Sequence, residues 1–278
     1  MKLTILSLFF AVCCFAQHKV SGSITDATSN QPIPFVSIGI VGKSIGTLSD
    51  EKGYFEYTFS NELKNDSLRI SAIGYKPLSF LVGDFIKEVS RKIKLESLPT
   101  QLEEVVVKSK KIKYTYLGNT NYSKNNCSGF VKNSDNWKGS EAAIIAGNKP
   151  GRNVLMESFG FYIIQNKYPD SLTFRLMFYE ASEKNYPRLK TFLRKPIIFK
   201  VGTKSGEFVL NLKEYNISTS KDFFISLECL MDEMDISKFC YAGSYSTASF
   251  VKPSAFERWS KVRGGGGDFN VKVSYVKD

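Results

Sequence analysis

Short segments with a period of two dominate this 278-residue chain. In each of them apolar and polar side chains alternate, which places one face of a β-strand on a core and the other in water. Turn residues separate the segments, and no long segment repeats with the 3.6-residue period of an amphipathic helix. The sequence therefore predicts an all-β fold of packed antiparallel sheets. The alternating segments are 36–40, 55–59, 68–70, 93–95, 105–107, 159–163, 172–178, 197–201, 208–212, 223–227 and 269–275.

The first residues, "MKLTILSLFFAVCCFAQ", predict export. One lysine precedes an apolar run from Leu3 to Ala16 that is too short to span a bilayer and is typical of a secretory signal. Small residues at Cys14 and Ala16 suit cleavage before Gln17. Lipidation is the less favoured alternative, because neither Cys13 nor Cys14 follows the small residue that a lipoprotein signal requires. No other run has the length of a membrane helix, so we expect no transmembrane segment in the mature chain.

Charge is unevenly distributed. Residues 17–107 carry ten Lys and Arg against eleven Asp and Glu, whereas residues 114–278 carry 23 against 16, and "KSKKIK" between them adds four lysines. A basic second half favours anionic surfaces or polyanions; a solvated strand surface with a basic linker is the structural alternative. We expect no nucleic-acid partner, because an exported chain without a recognition motif offers no site for one.

Three cysteines follow the signal: Cys127, Cys229 and Cys240. An odd and sparse set does not form a disulfide framework. Cys229 continues the alternation of residues 223–227 and is expected to be a buried free thiol. A single disulfide, between Cys229 and Cys240 or involving Cys127, stays open.

The stretch "GTLSDEKGYFEYTF", residues 46–59, has the pattern strand, turn, strand. The Asp50 side chain can form a hydrogen bond with the backbone of the turn, and Gly53 tolerates the positive φ that closes the turn. Adjacent carboxylates at Asp50 and Glu51 leave a metal or acid–base site as the alternative. We expect a structural turn.

Longer segments of the first half share a pattern with a known domain. They are "VSGSITDATSNQPIPFVSIGIVGKSIGTLSDEKGYFEYTF", "DSLRISAIGYKPLSF" and "LEEVVV". Over residues 19–107 the chain resembles the carboxypeptidase regulatory-like domain. The resemblance implies a seven-stranded, transthyretin-like Greek-key sandwich. The positions that carry it are Gly22, Asp26, Pro32, Pro34, Gly46, Thr47, Asp50, Gly53, Phe55, Ser71, Gly74 and Tyr75.

The placement of this domain also has implications. Such domains follow the catalytic domain in some zinc carboxypeptidases. In envelope proteins of Bacteroidetes-type bacteria they follow the signal peptide, often ahead of the plug and barrel of TonB-dependent receptors. The placement here resembles the second kind, which implies a location in the periplasm, on the outer membrane surface or in the medium.

The second half departs from the receptor pattern, because its 165 residues cannot supply a plug and a large barrel. The segments "ESFGFYI", "DSLTFRLMFYE", "GEFVLNLKEYNI" and "DFFISLECL" resemble a jelly-roll β-sandwich of the kind used by adhesive and carbohydrate-binding modules. The run "RGGGGDF" is expected to be a flexible loop before the last strand. The predicted organisation is a signal peptide at 1–16, a sandwich at 17–107, a lysine-rich linker at 108–114 and a jelly-roll-like sandwich at 115–278.

Histidine usage argues against an enzyme. The one histidine is His18, close to the expected mature terminus, so the chain lacks the imidazoles of a carboxypeptidase zinc site and the base of a Ser-His-Asp or Cys-His mechanism. We therefore expect no catalytic residue, no metal and no cofactor. A pair of carboxylates could still serve a glycosidase, and the candidates for this third alternative are Glu180, Glu183, Glu228, Asp232, Glu233 and Asp235.

Aromatic side chains are the candidates for ligand binding. Trp137, Tyr179 and Trp259 could stack on a sugar face, and the alternation places Tyr179 opposite Phe178, on the solvent side; the structural alternative puts all three in a core. The leading interpretation is an exported, non-catalytic cell-envelope binding or assembly protein, associated with TonB-dependent uptake, whose partner is an envelope protein or an extracellular polysaccharide. The alternative is a glycan-binding or adhesin-type protein acting through the second sandwich.

Overall fold

The computed structural model describes residues 17–99, 111–121, 123–245, 247–263 and 265–276. These residues form 22 strands, one four-residue α-helix and two 3₁₀ turns, which confirms the all-β class. The predicted signal at 1–16, the segment 105–107 and residues 108–110 of the predicted linker lie outside the described residues. No helix among the residues described is long and apolar enough to cross a bilayer.

The first sandwich comprises residues 17–99 and contains the seven strands that the resemblance implied. Its elements are β1 (Gln17–Asp26), β2 (Ser37–Ile40), β3 (Gly46–Leu48), β4 (Tyr54–Ser60), a 3₁₀ turn (Asn61–Leu63), β5 (Ser67–Ser71), β6 (Leu78–Leu81), α1 (Val82–Phe85) and β7 (Ser90–Leu95). One sheet has the order β4-β1-β7 and the other β3-β2-β5-β6. β1 pairs with β7 in parallel, which is a departure from the antiparallel expectation. The apolar residues of the alternating segments fill the space between the sheets.

The turn before β4 is structural, as predicted. Asp50 Oδ1 accepts hydrogen bonds from the backbone N–H groups of Lys52 and Tyr54, each at 2.8 Å. Gly53 has a φ of 74°, and a Cβ added there would lie 2.6 Å from Ile24 O. The position therefore requires glycine for two reasons, its backbone conformation and its close approach to β1.

We predict that Gly53→Val lowers the free energy of unfolding by about 1 kcal/mol or more, because valine disfavours positive φ and its Cβ meets β1. Urea unfolding measures the loss. Asp50→Asn is the control and costs little, since an amide oxygen accepts the same two bonds. Equal losses in the two variants would contradict the assignment.

The second sandwich comprises the described residues from 111 to 276. Its strands are β8 (Ile112–Gly118), β9 (Ser123–Ser128), β10 (Glu141–Ala146), β11 (Val154–Asn166), β12 (Leu172–Ala181), β13 (Pro187–Thr191), β14 (Ile197–Val201), β15 (Gly206–Asn211), β16 (Ser218–Thr219), β17 (Phe223–Cys229), β18 (Phe239–Ser244), β19 (Ser249–Lys252), β20 (Ser260–Val262), β21 (Gly266–Gly267) and β22 (Asn270–Val276), with a 3₁₀ turn at Lys213–Tyr215. β8 begins inside the predicted linker.

Two sheets enclose the core of the second sandwich. The β12 sheet has the order β13-β12-β17-β10-β19-β20, with β14 also on β12. The β11 sheet has the order β21-β18-β11-β22-β8, with β15 and β16 on β11 and β9 on β18. Because most connections pass from one sheet to the other, the arrangement is jelly-roll-like, as predicted. Phenylalanine rings from both sheets fill the core, among them Phe159, Phe161, Phe174, Phe178, Phe223 and Phe239.

The cysteines divide into a disulfide and a free thiol. Cys127 and Cys240 form a disulfide between the neighbouring strands β9 and β18. Cys229 is free and fully buried, as predicted, and burial raises the pKa of its thiol to about 12. The thiol is thus a core side chain of β17.

The expectation of a flexible loop at the glycine run is wrong for two of its residues. Gly266 and Gly267 form β21, pair with Ser244 and Gly243 of β18, and are buried. A Cβ on Gly266 would lie 2.5 Å from Thr247 O. The glycines therefore permit two backbones to approach closely, which a run of glycines in a sequence does not distinguish from flexibility.

The two sandwiches contact each other through polar and apolar groups. Ser134 Oγ donates to Ser44 O at 2.8 Å, and Ser254 Oγ donates to Lys43 O at 2.9 Å. Lys200 and Glu51 form an ion pair at 3.3 Å. A small apolar cluster joins the two domains further in; it comprises Phe35, Leu48 and Leu230, with Ile198 packed against it.

The predicted domain boundaries stay a prediction, which limited trypsin digestion tests. We expect cleavage at Lys108, Lys110, Lys111 or Lys113 to leave two stable fragments, because each half has its own core. The contacts between the sandwiches should keep the fragments together on size-exclusion chromatography. Rapid loss of both halves would instead indicate one interlocked folding unit.

Candidate functional site

Both faces of β12 are buried, so the predicted solvent face does not exist. The alternation placed Tyr179 on the solvent side; Thr173, Arg175 and Met177 share its face, and each of the four residues is less than 10% exposed. The alternation is present, but other parts of the chain cover the second face. Arg175 Nη1 donates to Phe35 O of the first sandwich at 2.9 Å, which shows what covers this part of the sheet.

A row of four charged residues crosses this covered face. Arg175 of β12 lies opposite Glu228 of β17, Glu228 lies opposite Glu141 of β10, and Glu141 lies opposite Lys252 of β19. All four residues are at most 4% exposed. Like charges directly opposite one another are destabilising, so the two central carboxylates depend on the cations at the two ends of the row.

Hydrogen bonds and ion pairs link the members of the row. Arg175 Nε and Nη2 donate to the two carboxylate oxygens of Glu228 at 2.6 and 2.8 Å. Lys252 Nζ lies 2.7 Å from Glu141 Oε1, and Tyr179 Oη donates to Glu141 Oε2 at 2.8 Å. Burial raises the pKa of Glu228, and the adjacent guanidinium opposes that shift. Paired and closed to water, the cluster is built to hold the fold and offers no open position for a substrate.

Two of the three predicted aromatic residues belong to this cluster. Tyr179 and Trp259 are 1% and 7% exposed, and their ring centroids lie 5.4 Å apart. Lys252 Nζ lies over both rings, at 5.3 and 4.8 Å from their centroids. The placement of Tyr179 on the solvent side is therefore wrong. Trp137 is partly buried against the second core.

The structure does not bring the predicted carboxylates together in a cleft. Glu228 is buried in the charged row, whereas Asp232, Glu233 and Asp235 are exposed beyond the end of β17. Asp232 pairs with Lys138 at 2.6 Å. No group of three or more His, Cys, Asp or Glu side chains among the described residues has the geometry of a metal site.

We predict that Arg175→Ala lowers the free energy of unfolding by about 3–5 kcal/mol, because it leaves Glu228 buried beside Glu141 without its counterion. Urea unfolding measures the change. Arg188→Ala, at an exposed arginine, is the matched control and stays within about 0.5 kcal/mol of the wild type. The double variant Arg175→Met/Glu228→Met should be less damaging than Arg175→Ala. A loss below 1 kcal/mol for Arg175→Ala would contradict this role of the row.

The outer face of the β11 sheet is open, in contrast to the β12 sheet, and it carries a groove. Gly160 of β11 lies between Val209 of β15 and Asn270 of β22, and Ser158 lies between Asn211 and Lys272 in the next row. The small or polar residues Gly160, Ser158, Asn211 and Asn270 form the floor. Tyr114 and Tyr116 of β8 form one wall, each 57% exposed, and Val209 on the opposite wall is 63% exposed.

The groove has a shallow part and a deep part. The shallow part is an open depression of about 350 Å³ lined by Tyr114, Glu157, Lys213 and Lys272, among others. The deep part is a cavity of about 60 Å³ lined by Tyr116, Tyr162, Glu207, Asp268 and Asn270, among others. Ser158 and Val209 belong to the walls of both, so the two parts are continuous.

Asp268 belongs to the wall of the deep part, and its carboxylate oxygens are buried. The residue is 1% exposed, and neither carboxylate oxygen has a hydrogen-bond partner among the described residues. Its backbone N–H donates to Ala242 O at 2.9 Å, which fixes the residue at the junction of β21 and β22. Burial raises the pKa of the Asp268 carboxyl to about 7.

Lysines give the groove a basic rim. Lys272 Nζ lies 5.1 Å from the centroid of the Tyr114 ring, and Lys124 Nζ lies 4.9 Å from that of Tyr162. Lys213 lies 3.6 Å from Glu157. The arrangement thus combines exposed aromatic edges, a hydroxyl and amide floor, and cations, which suits a polar and extended ligand better than an apolar one.

Sequence reasoning missed this site for a simple reason. Tyr114 fell at the end of the predicted linker, and Asp268 fell in the expected glycine loop. The alternation of Tyr114 and Tyr116 with Thr115 and Leu117 is a strand signal that points both tyrosines to one side. The position of Asp268 beneath them depends on the pairing of β21 with β18, which leaves no local signal.

Comparison with known families finds a match in the first sandwich. Residues 20–107, about a third of the chain, match the profile of the CarboxypepD_reg-like domain. The chain therefore carries a domain of this type, as its motifs indicated. This domain type is a non-catalytic regulatory fold, and no catalytic family was found. Comparison with curated proteins found no match.

Solved structures give only distant likenesses. One is the cysteine protease and lectin-like domains of Cwp84, a surface layer associated protein of Clostridium difficile, at 9% identity and a TM-score of 0.30, covering 48% of this chain and 32% of that one. Another is the Gx strain of infectious bursal disease virus, at 7% identity and a TM-score of 0.26, covering 94% and 63%. The chain spans less than two thirds of either structure, and scores this low do not bear on function.

Proposed function

We propose that this chain is a non-catalytic binding protein of the cell envelope, with the ligand groove on the outer face of the β11 sheet. The groove carries the proposal, because exposed aromatic side chains, a polar floor and lysines at the rim come together there. The first sandwich supports it as an accessory module packed on the opposite sheet. Export to the periplasm, outer membrane surface or medium rests on the predicted signal at 1–16.

The absence of catalysis is part of the proposal. The carboxylates suggested for a glycosidase either pair in the buried row or lie apart on the surface. Glu207 and Asp268 both line the deep part of the groove, but a hydrolase would also need the scissile bond to lie between two carboxyl groups. A cavity of about 60 Å³ does not admit a sugar ring to such a position.

The ligand class that fits best is an extracellular polysaccharide, the alternative function in the sequence analysis. An open depression admits one segment of a long chain, tyrosine edges contact sugar faces, and the floor bonds hydroxyl groups. The lysines at the rim suit an anionic polymer. An envelope protein near TonB-dependent uptake machinery is the other partner class, and it rests on the first sandwich alone.

An array of polysaccharides, probed with the full mature chain, tests the proposal. We expect binding to at least one anionic polysaccharide, weakened by salt because exposed charges are screened beyond about 10 Å at 0.1 M. Tyr116→Ala should reduce the affinity about fivefold or more, since stacked aromatic contacts contribute on the order of 1 kcal/mol.

Tyr54→Ala is the matched control, because Tyr54 is a surface tyrosine of the first sandwich, 47% exposed. It should leave binding unchanged. If no polysaccharide binds, or if Tyr54→Ala weakens binding as much as Tyr116→Ala, the groove is not the ligand site. A pulldown from envelope fractions would then address a protein partner.

A further inference from the structure

A lysine and a glutamate face each other at one end of the buried charged row. Lys252 of β19 lies directly opposite Glu141 of β10, and Lys252 Nζ is 2.7 Å from Glu141 Oε1. Both side chains are 2% exposed. The buried rings of Tyr179 and Trp259 lie against the ammonium group, so the pair is closed to water. An amine and a carboxyl group held in contact without water are the two halves of an amide bond.

We propose that Lys252 and Glu141 condense to form a covalent amide cross-link between β19 and β10. One proton passes from Lys252 Nζ to Glu141 Oε1 along the existing contact, and the nitrogen lone pair then attacks the carboxyl carbon, Cδ. A second proton moves from the nitrogen to Oε1 as the Cδ–Oε1 bond breaks, and Oε1 leaves as water. The Nζ–Cδ bond forms, the nitrogen keeps one proton, and no atom is oxidised or reduced. The cross-link therefore needs no co-reactant.

The position of the two groups favours the reaction. Reacting atoms about 3–3.5 Å apart are near the geometry of attack, and a nitrogen 2.7 Å from a carboxyl oxygen is close to that distance from the carboxyl carbon. Groups oriented in this way react as if one of them were present at about 10⁵ M or more, far above the concentration of liquid water. Because the site is closed to water, the reverse reaction, hydrolysis, lacks its second reactant.

Two hydroxyl groups are placed to stabilise the tetrahedral intermediate. Tyr179 Oη donates to Glu141 Oε2 at 2.8 Å, and Ser226 Oγ donates to the same oxygen at 2.9 Å. Tyr179 Oη also lies 3.0 Å from Oε1, the oxygen that leaves. Attack on Cδ puts negative charge on Oε2, and fixed donors aimed at that oxygen in a buried site stabilise such charge. Tyr179 and Ser226 are therefore positioned as an oxyanion hole.

The surroundings also match the product. The oxygen of the new amide, Glu141 Oε2, keeps its hydrogen bonds from Tyr179 and Ser226. The N–H of the new amide faces Ala255 O, which lies 3.3 Å from Lys252 Nζ. Buried polar groups need hydrogen-bond partners, and both polar groups of the amide have theirs already in place.

Charge repulsion within the row favours the cross-linked state. Glu141 lies opposite Glu228, and like charges directly opposite each other destabilise a sheet. Condensation removes the charges of Lys252 and Glu141 together. Glu228 keeps its partner Arg175, which binds both of its carboxylate oxygens. The row then consists of one balanced ion pair and one neutral amide.

The intact mass of the purified full chain, unfolded and with its disulfide reduced, tests the proposal without any substitution. We expect a mass about 18 Da below the value calculated from its sequence, the mass of one water. A tryptic digest should contain one branched peptide in which Lys252 is joined to Glu141. Lys138 is the matched control, because it lies 2.6 Å from Asp232, whose side chain is 76% exposed. Water reaches that pair, so Lys138 should stay unmodified and be cleaved by trypsin.

A variant and the digest separate a cross-link from an ordinary ion pair. Lys252→Met should show the full calculated mass and no branched peptide. If the wild type shows the full mass, and its digest holds the peptides of Glu141 and Lys252 separately, the pair is ionic and the proposal is overturned. A mass loss that persists in Lys252→Met, or that maps to other residues, overturns it as well. If Lys252→Met does not fold, the mass and the digest of the wild type still decide.

Discussion

The hydrogen bonds of the Arg175 guanidinium are the interactions on which the packing of the two sandwiches depends. The guanidinium binds both oxygens of Glu228 within the second sandwich and the carbonyl of Phe35 in the first. Burying an arginine costs stability unless its N–H donors are paired. The first sandwich covers this face of the β12 sheet and supplies the Phe35 carbonyl as an acceptor for Arg175. The row of Arg175, Glu228, Glu141 and Lys252 therefore lies on the face of the β12 sheet that contacts the first sandwich.

This contact decides where a ligand can bind. A β-sandwich has two outer faces, and here one of them is occupied by the first sandwich, a tyrosine–tryptophan pair and the buried charges. The outer face of the β11 sheet stays open, with Tyr114 and Tyr116 exposed and Asp268 beneath them. The same fold thus contains buried carboxylates in two different states. Glu228 is bonded to a cation, whereas the Asp268 carboxylate is buried without a hydrogen-bond partner among the described residues.

The sequence predicts much of the fold, because alternation and turn chemistry are local. The strands around Phe55, Phe174 and Phe223, the Asp50 turn with positive φ at Gly53, and the buried thiol of Cys229 are all confirmed. Alternation says that Tyr179 and Phe178 face opposite ways, but it does not say what covers each face. The sequence therefore could not show that Arg175 and Tyr179 are buried.

The groove was beyond prediction for a related reason. Its floor and walls come from strands far apart in the chain, β8, β11, β15 and β22, and the register between them brings Gly160 next to Asn270 and Val209. The glycines before Asp268 form a strand because two backbones approach closely, which is a property of the pairing and not of the run itself. Long-range register therefore builds the site, and single-residue patterns do not reveal it.

Hydrogen–deuterium exchange of the full mature chain, with and without a polysaccharide that it binds, tests the central claim most directly. The account predicts protection confined to the β11 sheet, at residues 112–118, 206–211 and 265–272. Exchange in β10, β12 and β17, beneath the first sandwich, should be slow in both states and unchanged. Protection over residues 17–99, or over the face that holds Arg175 and Tyr179, would contradict the account.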